Sequence, residues 1–413
     1  MQAALSMQSL LFDPADARAA LAQLPHAAAL FALYGAEAHA EPYIGRTPNL
    51  RARLDRLLIP SEKHPRRLQL AGRVRRIEWR LTGSEFESLL LQFGLLQKVY
   101  GTKSLERMHL RAPAFVRFLG SNAYPRVVVT HRPSLREADW SYGPFASRAA
   151  AERYVDEALK LFLLRRCIDD LHPDPSHPGC VYSEMKMCLA PCYKGCTDQR
   201  YAEEAVAVEG FLATRGETRL VTLRTEREAA SAALEFEAAA ALHTQVQRVE
   251  SVRALAPELV RPVSRLRAVI LQAAAEPDSV AVFSFDCGRL SGPALFCTLG
   301  MRLQNEQSGS SSLFAQPVAV EAVPENPTPV SAPRPARAVL EERMEAVLAE
   351  LAAEPSAPSP TERQGHMALL KRWYYRPEAR RVGEIFFPDA EDRWPIKALL
   401  RGVGRVAARP LQA

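Results

Sequence analysis

The chain has 413 residues, 47% of them hydrophobic, and a formal net charge of +6. It is too long for one small domain and apolar enough to build real cores, so two to four folded units are expected and wholesale disorder is excluded. No stretch approaches eighteen uncharged apolar residues, and the opening MQAALSMQSLLFDPADARAAL has no basic region ahead of its apolar run. Neither a membrane span nor a signal peptide is therefore expected, and the cytoplasm is the expected compartment.

Residues 1–22 read as a helical lead-in. An apolar strand is expected at 29–34, a second at 42–45, and a basic helix over about 49–58. A third strand, 74–82, alternates Val74, Ile77 and Trp79 with arginines. Ser84 then opens a helix, and the Ser84/Glu87 spacing is that of a capping box. Between Arg46 and Arg80 there are eleven Lys/Arg against three Asp/Glu. Such a stretch suits a polyanion, because neutralised phosphates release counterions; the plainer reading is a solvated basic face. Tyr124–Thr130 reads as a further strand, and Ser147 as the cap of a helix that leads into the cysteines.

Five of the seven cysteines fall in one stretch, Cys167, Cys180, Cys188, Cys192 and Cys196, with intervals of twelve, seven, three and three residues. Crowded thiolates repel unless they share a cation, so a metal is the economical reading. Spacing alone leaves zinc and iron–sulfur equal. From Glu217 to Ala256 there is neither Gly nor Pro, and Leu234–Glu237 breaks the Ala-rich pattern, so two antiparallel helices are expected. Two short strands are expected at 278–302 around Cys287-Gly288, a Ser/Pro-rich flexible linker at 305–337, a helix at 338–352, and an ordered aromatic tail.

The order of these pieces resembles the N-terminal half of the UvrC family of bacterial excision-repair nucleases and their shorter Cho relatives. The resemblance is carried by YIGRTPNLRARL (43–54), IEWRLTGSEFESLLL (77–91), YPRVVVT, YGPFASR, LFLLRRC, the Cys188–Cys192 motif CLAPC, and LEFEAAAALHTQV. Together they extend over about two-thirds of the chain. It implies an α/β fold: a small GIY-YIG-type sheet flanked by helices, a helical cysteine-rich metal segment, a helical hairpin, and a smaller α+β C-terminal region after the linker. The implied boundaries are 1–22 for the lead-in, 23–148 for the nuclease-like domain, 149–215 for the iron–sulfur segment and 216–256 for the hairpin. A β-containing region (257–304), the linker (305–337) and a C-terminal helical, aromatic region (338–413) complete the division.

For the first domain the resemblance implies a catalytic set of Tyr43, Arg46, Asn49 and Arg53, acting on DNA with Mg²⁺ or Mn²⁺. Two positions depart from the family pattern. Phe31 stands where a tyrosine is usual; Tyr34 could stand in for it only if a bulge intervenes, since strand alternation puts positions 31 and 34 on opposite faces. Gln92 stands where a metal-binding glutamate is usual, and a neutral amide is a poor ligand for a hard cation. Glu85 or Glu87 could supply a substitute. Cys167, Cys180, Cys188 and Cys192 match the ligands of a [4Fe-4S] cluster, with zinc as the alternative and Cys196 as an extra thiol. Leu234, Phe236, Ala239 and Leu242 match the apolar face of the UVR hairpin, which docks a UvrB-like protein. The plainer reading of that hairpin packs it on its own protein. The function implied is a UvrC/Cho-like component that binds damaged DNA and makes a single-strand incision if its catalytic set works. The alternatives are a catalytically silent DNA- and UvrB-binding adaptor, or a zinc-stabilised DNA-binding module.

Overall fold

The structure is a computed structural model that describes residues 6–37, 40–59, 70, 72–133, 137–299, 301, 337–353 and 358–409. The fold is mixed α/β, built on three four-stranded antiparallel sheets. The first comprises β1 (Gln8–Leu11), β2 (Ala29–Gly35), β3 (Tyr43–Thr47) and β4 (Val74–Leu81), in the order β1-β4-β2-β3. The lead-in is thus partly strand: Gln8 pairs with Trp79 and Leu11 with Arg76 before the short helix α1 (Ala17–Ala22). The apolar spacing of this segment suits a helix, but a stretch this short is costly to nucleate as one, and the open edge of β4 pairs its backbone N–H and C=O groups instead.

One face of this sheet carries α2 (Leu50–Leu58). Phe31, Leu33, Leu50, Leu54 and Leu58 close the core there. The other face carries α3 (Glu85–Tyr100), through Leu30, Ala32, Leu91 and Leu95. Ser84 caps α3 as the spacing implies, accepting from the Glu87 N–H at 3.1 Å. The Glu87 carboxylate, however, accepts from the Gly83 N–H at 2.9 Å, one residue outside the expected return bond. After α3 comes the single turn α4 (Ser104–Arg107).

Strands β5 (Ala114–Phe118), β6 (Val127–Thr130) and β7 (Ser141–Phe145) do not join the first sheet. They form the second, ordered β6-β5-β7-β8, with the short β8 supplied from Arg261–Pro262. Its core is shared with α5 (Arg148–Leu159), α7 (Asp198–Ala213) and the base of a hairpin of α8 (Glu217–Ala232) and α9 (Phe236–Ala254). The cysteines lie between α5 and α7, around the single-turn α6 (Val181–Glu184). The structure therefore groups residues 114–145 with these downstream helices rather than with the first sheet.

The third sheet is β11-β10-β9-β12, from β9 (Arg267–Ala273), β10 (Ser279–Asp286), β11 (Arg289–Cys297) and the three-residue β12 (Glu384–Phe386). The β10–β11 turn runs through Cys287 and Gly288, both at positive φ. Alternation along β9 sends Val269 and Leu271 to α10 (Arg337–Ala352) and α12 (Ile396–Ala408). It sends Ala268 and Ile270 to α3 and α11 (Pro360–Tyr374). The expected 257–304 and 338–413 regions are accordingly one packed layer. The expected linker lies outside the described residues except for Arg337.

Helix α11 locks this layer to α3. Gly365 sits against the Phe93 ring so closely that an added Cβ would fall 2.0 Å from the Phe93 Cζ. The adjacent His366 is 2% exposed, and its Nδ1 accepts from the Leu290 N–H at 3.1 Å. Burial, assisted by the nearby Arg289, pushes its pKa down to about 3. The ring is thus neutral when folded, while the unfolded chain takes up the proton below about pH 6.5. Stability is full above that pH and falls as pH drops toward 3, by at most ~1.4 kcal/mol per unit. His366→Gln keeps an acceptor without a titration. Denaturation midpoints of wild type and His366→Gln at pH 7.5 and pH 5 should show the acid loss shrinking in the variant.

Candidate functional site

On the α2 face, Asn49 begins the helix: its Oδ1 accepts from the Ala52 N–H at 3.0 Å. The Thr47 hydroxyl braces the Asn49 backbone, donating to its carbonyl at 2.9 Å and accepting from its N–H at 3.1 Å. This cap places Arg53 one turn later, where its Nη2 donates to the Tyr43 hydroxyl at 3.4 Å. Phe31 pairs with Gly45 across β2–β3, with its ring centroid 6.1 Å from that of Tyr43. A Cβ on residue 45 would lie 2.7 Å from the Phe31 ring, so glycine is what admits the phenyl group there. Phe31 is fully buried and contributes packing, not a hydroxyl. Tyr34 does not replace it. It packs beside Leu30 and Ala32, on the opposite face, with the Arg76 guanidinium 4.3 Å above its ring.

Arg46 and Gln92 meet on the α3 face. The Arg46 Nε donates to the Gln92 Oε1 at 2.7 Å, and its Nη1 lies 3.9 Å from Glu85. Arg376, from the end of α11, donates to both Glu85 oxygens at 2.8 Å. That bond holds the Glu85 carboxyl below its ordinary range, with Arg46 and Arg372 adding to the effect. Burial, reinforced by Arg372 and Arg376, lowers Arg46 from the usual guanidinium value. Glu87 is buried and titrates above the usual carboxylate range because of it. Neither glutamate is thus a free carboxylate beside Gln92. The catalytic set inferred from sequence is divided by the sheet: Tyr43, Asn49, Arg53 and Phe31 on one side, Arg46 and Gln92 on the other. A guanidinium attracts anions, and the one Gln92 atom that could face a hard cation, its Oε1, is taken by Arg46; carboxylates are the stronger ligands for such a cation.

Sequence reasoning misses Arg376 and its neighbours Arg372, Arg380 and Arg381. The run RWYYRPEARR holds the signal, since clustered arginines among aromatics mark phosphate-binding surfaces.

The cysteine segment is a loop pinned at its ends. Arg165 is 2% exposed and reaches Tyr124 O, Asp169 O and, at 3.5 Å, the Cys167 Sγ. The Ala190 N–H donates to the Cys188 Sγ at 3.3 Å. Burial raises the Cys188 thiol to about 11, and Cys167, Cys180 and Cys192 each add to the rise. Burial raises the Cys196 thiol as well, with Asp198 and Cys192 adding to the rise. The donor set is soft and mutually close enough to interact. Among the described residues, though, no three His, Cys, Asp or Glu side chains stand at metal-binding spacing.

The hairpin is anchored at one end and bare at the other. Leu220, Leu223, Val246, Val249 and Val252 are buried in the second core. At the tip Leu234 (φ 62°) is 71% exposed and Phe236 is 68% exposed. The expected four-residue face is thus split. Leu234 and Phe236 face solvent, Ala239 is half-buried, and Leu242 packs on the protein's own core.

Residues 115–211 match the family model described as UvrC/Cho excinuclease, middle domain. The UvrABC system protein C of Alcanivorax borkumensis is 31% identical over 211 residues, 51% of this chain and 34% of that one. That of Aliivibrio salmonicida is 29% identical over 244 residues, 58% and 39% of the two chains. That of Ruegeria sp. TM1040 is 29% identical over 212 residues, 51% and 33%. The matched part of this chain spans little more than a third of those relatives. No solved structure matches it. No helix among the described residues is long and apolar enough to cross a membrane. Over about half its length this chain resembles UvrC proteins, in keeping with their N-terminal half, and its centre matches the UvrC/Cho middle domain.

Proposed function

We propose that this chain is a cytoplasmic UvrC-related repair component whose first unit, of GIY-YIG ancestry, grips DNA and is not equipped for metal-dependent cleavage. The observation that carries this reading is the Arg46–Gln92 hydrogen bond, a guanidinium on an amide where the resemblance calls for a carboxylate ligand. A fixed cation at that point attracts a phosphate and repels Mg²⁺ or Mn²⁺. Asn49, Arg53 and the basic residues of α2 would lie along the phosphate chain.

The second reading, incision, is favoured by the Arg53–Tyr43 contact. In it Arg53 would hold the scissile phosphate and Tyr43 would orient the attacking water, with a divalent cation offsetting phosphate charge. A nicking assay on damaged duplex separates the two. The adaptor reading expects bound but uncut DNA with either cation. A metal-dependent nick that Arg53→Ala reduces a hundredfold or more would replace it with the enzyme reading.

Cys167, Cys180, Cys188 and Cys192 would hold a [4Fe-4S] cluster, with zinc as the alternative. A bound metal would supply a cross-link to a segment poor in apolar residues (DDLHPDPSHPG). The soft donor set supports this, as does the effect that Cys167 and Cys180 have on the Cys188 and Cys192 thiols. Anaerobically purified protein should be brown and contain iron, and Cys188→Ser should lose most of both; stoichiometric zinc instead would select the alternative.

The exposed hairpin tip would dock a UvrB-like protein. Phe236→Ala should leave the thermal midpoint within about 1–2 °C of wild type, because the side chain is already solvated, while abolishing capture of UvrB. Leu220→Ala, at the buried base, should instead cost about 2–5 kcal/mol.

A further inference from the structure

Between α3, the end of β3 and the 376–383 segment lies a cleft of about 780 Å³. Arg46, Arg376, Arg380, Arg381 and Arg409 line it, against the carboxylates of Glu85 and Glu378. Glu85 is already shared, because Arg376 forks onto both its oxygens, Arg46 approaches it, and Arg372 acts on it from nearby. The Arg46 and Arg376 side chains are only 27% and 24% exposed. Guanidinium groups gathered around one carboxylate at this burial repel one another, and a further anion relieves that repulsion. Arg380 and Arg409 are exposed at the cleft wall. The aromatic residues lining the cleft, Phe86 and Trp373, are 3% exposed and turned into the core, so they offer no ring face on which a base could stack. Recognition there is by charge alone.

We propose that this cleft binds the phosphates of a nucleic-acid strand, with Arg46, Arg376, Arg380 and Arg409 as contacts. Glu85 occupies the fork of Arg376 as a built-in competitor until a phosphate displaces it. Guanidinium accepts carboxylate and phosphate in the same bidentate geometry, which makes the exchange feasible. The inference rests on the DNA-binding reading for its choice of a nucleic acid, and it adds a path for the strand that only the C-terminal segment completes. A small free phosphate shares the chemistry but would meet fewer of the arginines at once.

The test is fluorescence anisotropy of the full chain with a short single-stranded oligonucleotide, in EDTA, across a salt series. The double variant Arg380→Ala/Arg409→Ala changes only exposed side chains and should weaken binding roughly tenfold. It should also flatten the salt slope by about 1.4, two single-strand phosphate contacts. Glu85→Gln should tighten binding several-fold by freeing Arg376. Inorganic phosphate should compete only in large excess. Unchanged affinity in the double variant, no tightening in Glu85→Gln, or displacement by equimolar phosphate would each overturn the proposal. Should the double variant bind damaged duplex and oligonucleotide as wild type does, the cleft fails while the DNA-binding reading stands. Should oligonucleotide binding depend on Arg380 and Arg409 in a protein that ignores damaged duplex, the cleft stands and the repair reading falls.

Discussion

Helix α3 is the constraint on which the other parts depend. Ten of its sixteen residues are buried, on every side of the helix. A helix apolar all round has to be enclosed, and here two sheets and α11 enclose it. Leu91 and Leu95 fit the first sheet; Phe86, Leu89, Leu90 and Phe93 fit the third. Gln92 interrupts this apolar surface, and a polar group so placed needs a partner. Arg46 meets that need, because the pleat of β3 already sets it on the α3 side of the sheet, away from Tyr43 and Arg53. The division of the candidate catalytic set follows from the pleat of β3, with α2 covering one face and α3 the other.

Local signals made much of this architecture legible beforehand. Asn49 and Ser84 announce the starts of α2 and α3 because short polar side chains satisfy the first N–H groups of a helix. The interruption at Leu234–Glu237 marks the hairpin turn, where Leu234 adopts positive φ. The partition of Arg46 from Tyr43 was legible too: three residues apart in a strand means opposite faces. The pairings made over distance were not legible. Neither β1 on β4 nor β12 on β9 has a sequence signature stronger than its turn neighbours, because a three- or four-residue strand is selected by the edge it meets. The same holds for Arg376, whose partner Glu85 lies 291 residues away.

The two features downstream of the first sheet hold their shape by different means. The hairpin base relies on apolar burial, and its tip gains nothing from the rest of the protein. The cysteine loop has few apolar residues to bury and is pinned by Arg165, whose guanidinium ties Tyr124, Cys167 and Asp169 together from inside the core. A charge buried that deeply is tolerated only when its hydrogen bonds are met, so this arginine orders the entry to the loop at some expense of solvation.

The placement of β12 has a consequence for how the chain can be divided. Its three residues seal the edge of β9, and they arrive more than a hundred residues after β9 in sequence. A polypeptide ending near residue 300 would keep everything that resembles UvrC, yet it would leave β9 with unpaired backbone groups. The apolar sides of α3 and β9 that α11 and α12 cover would face water. The family-like portion and the tail thus share their cores, and shortening the chain to its recognisable part would create a sticky sheet edge rather than a minimal domain.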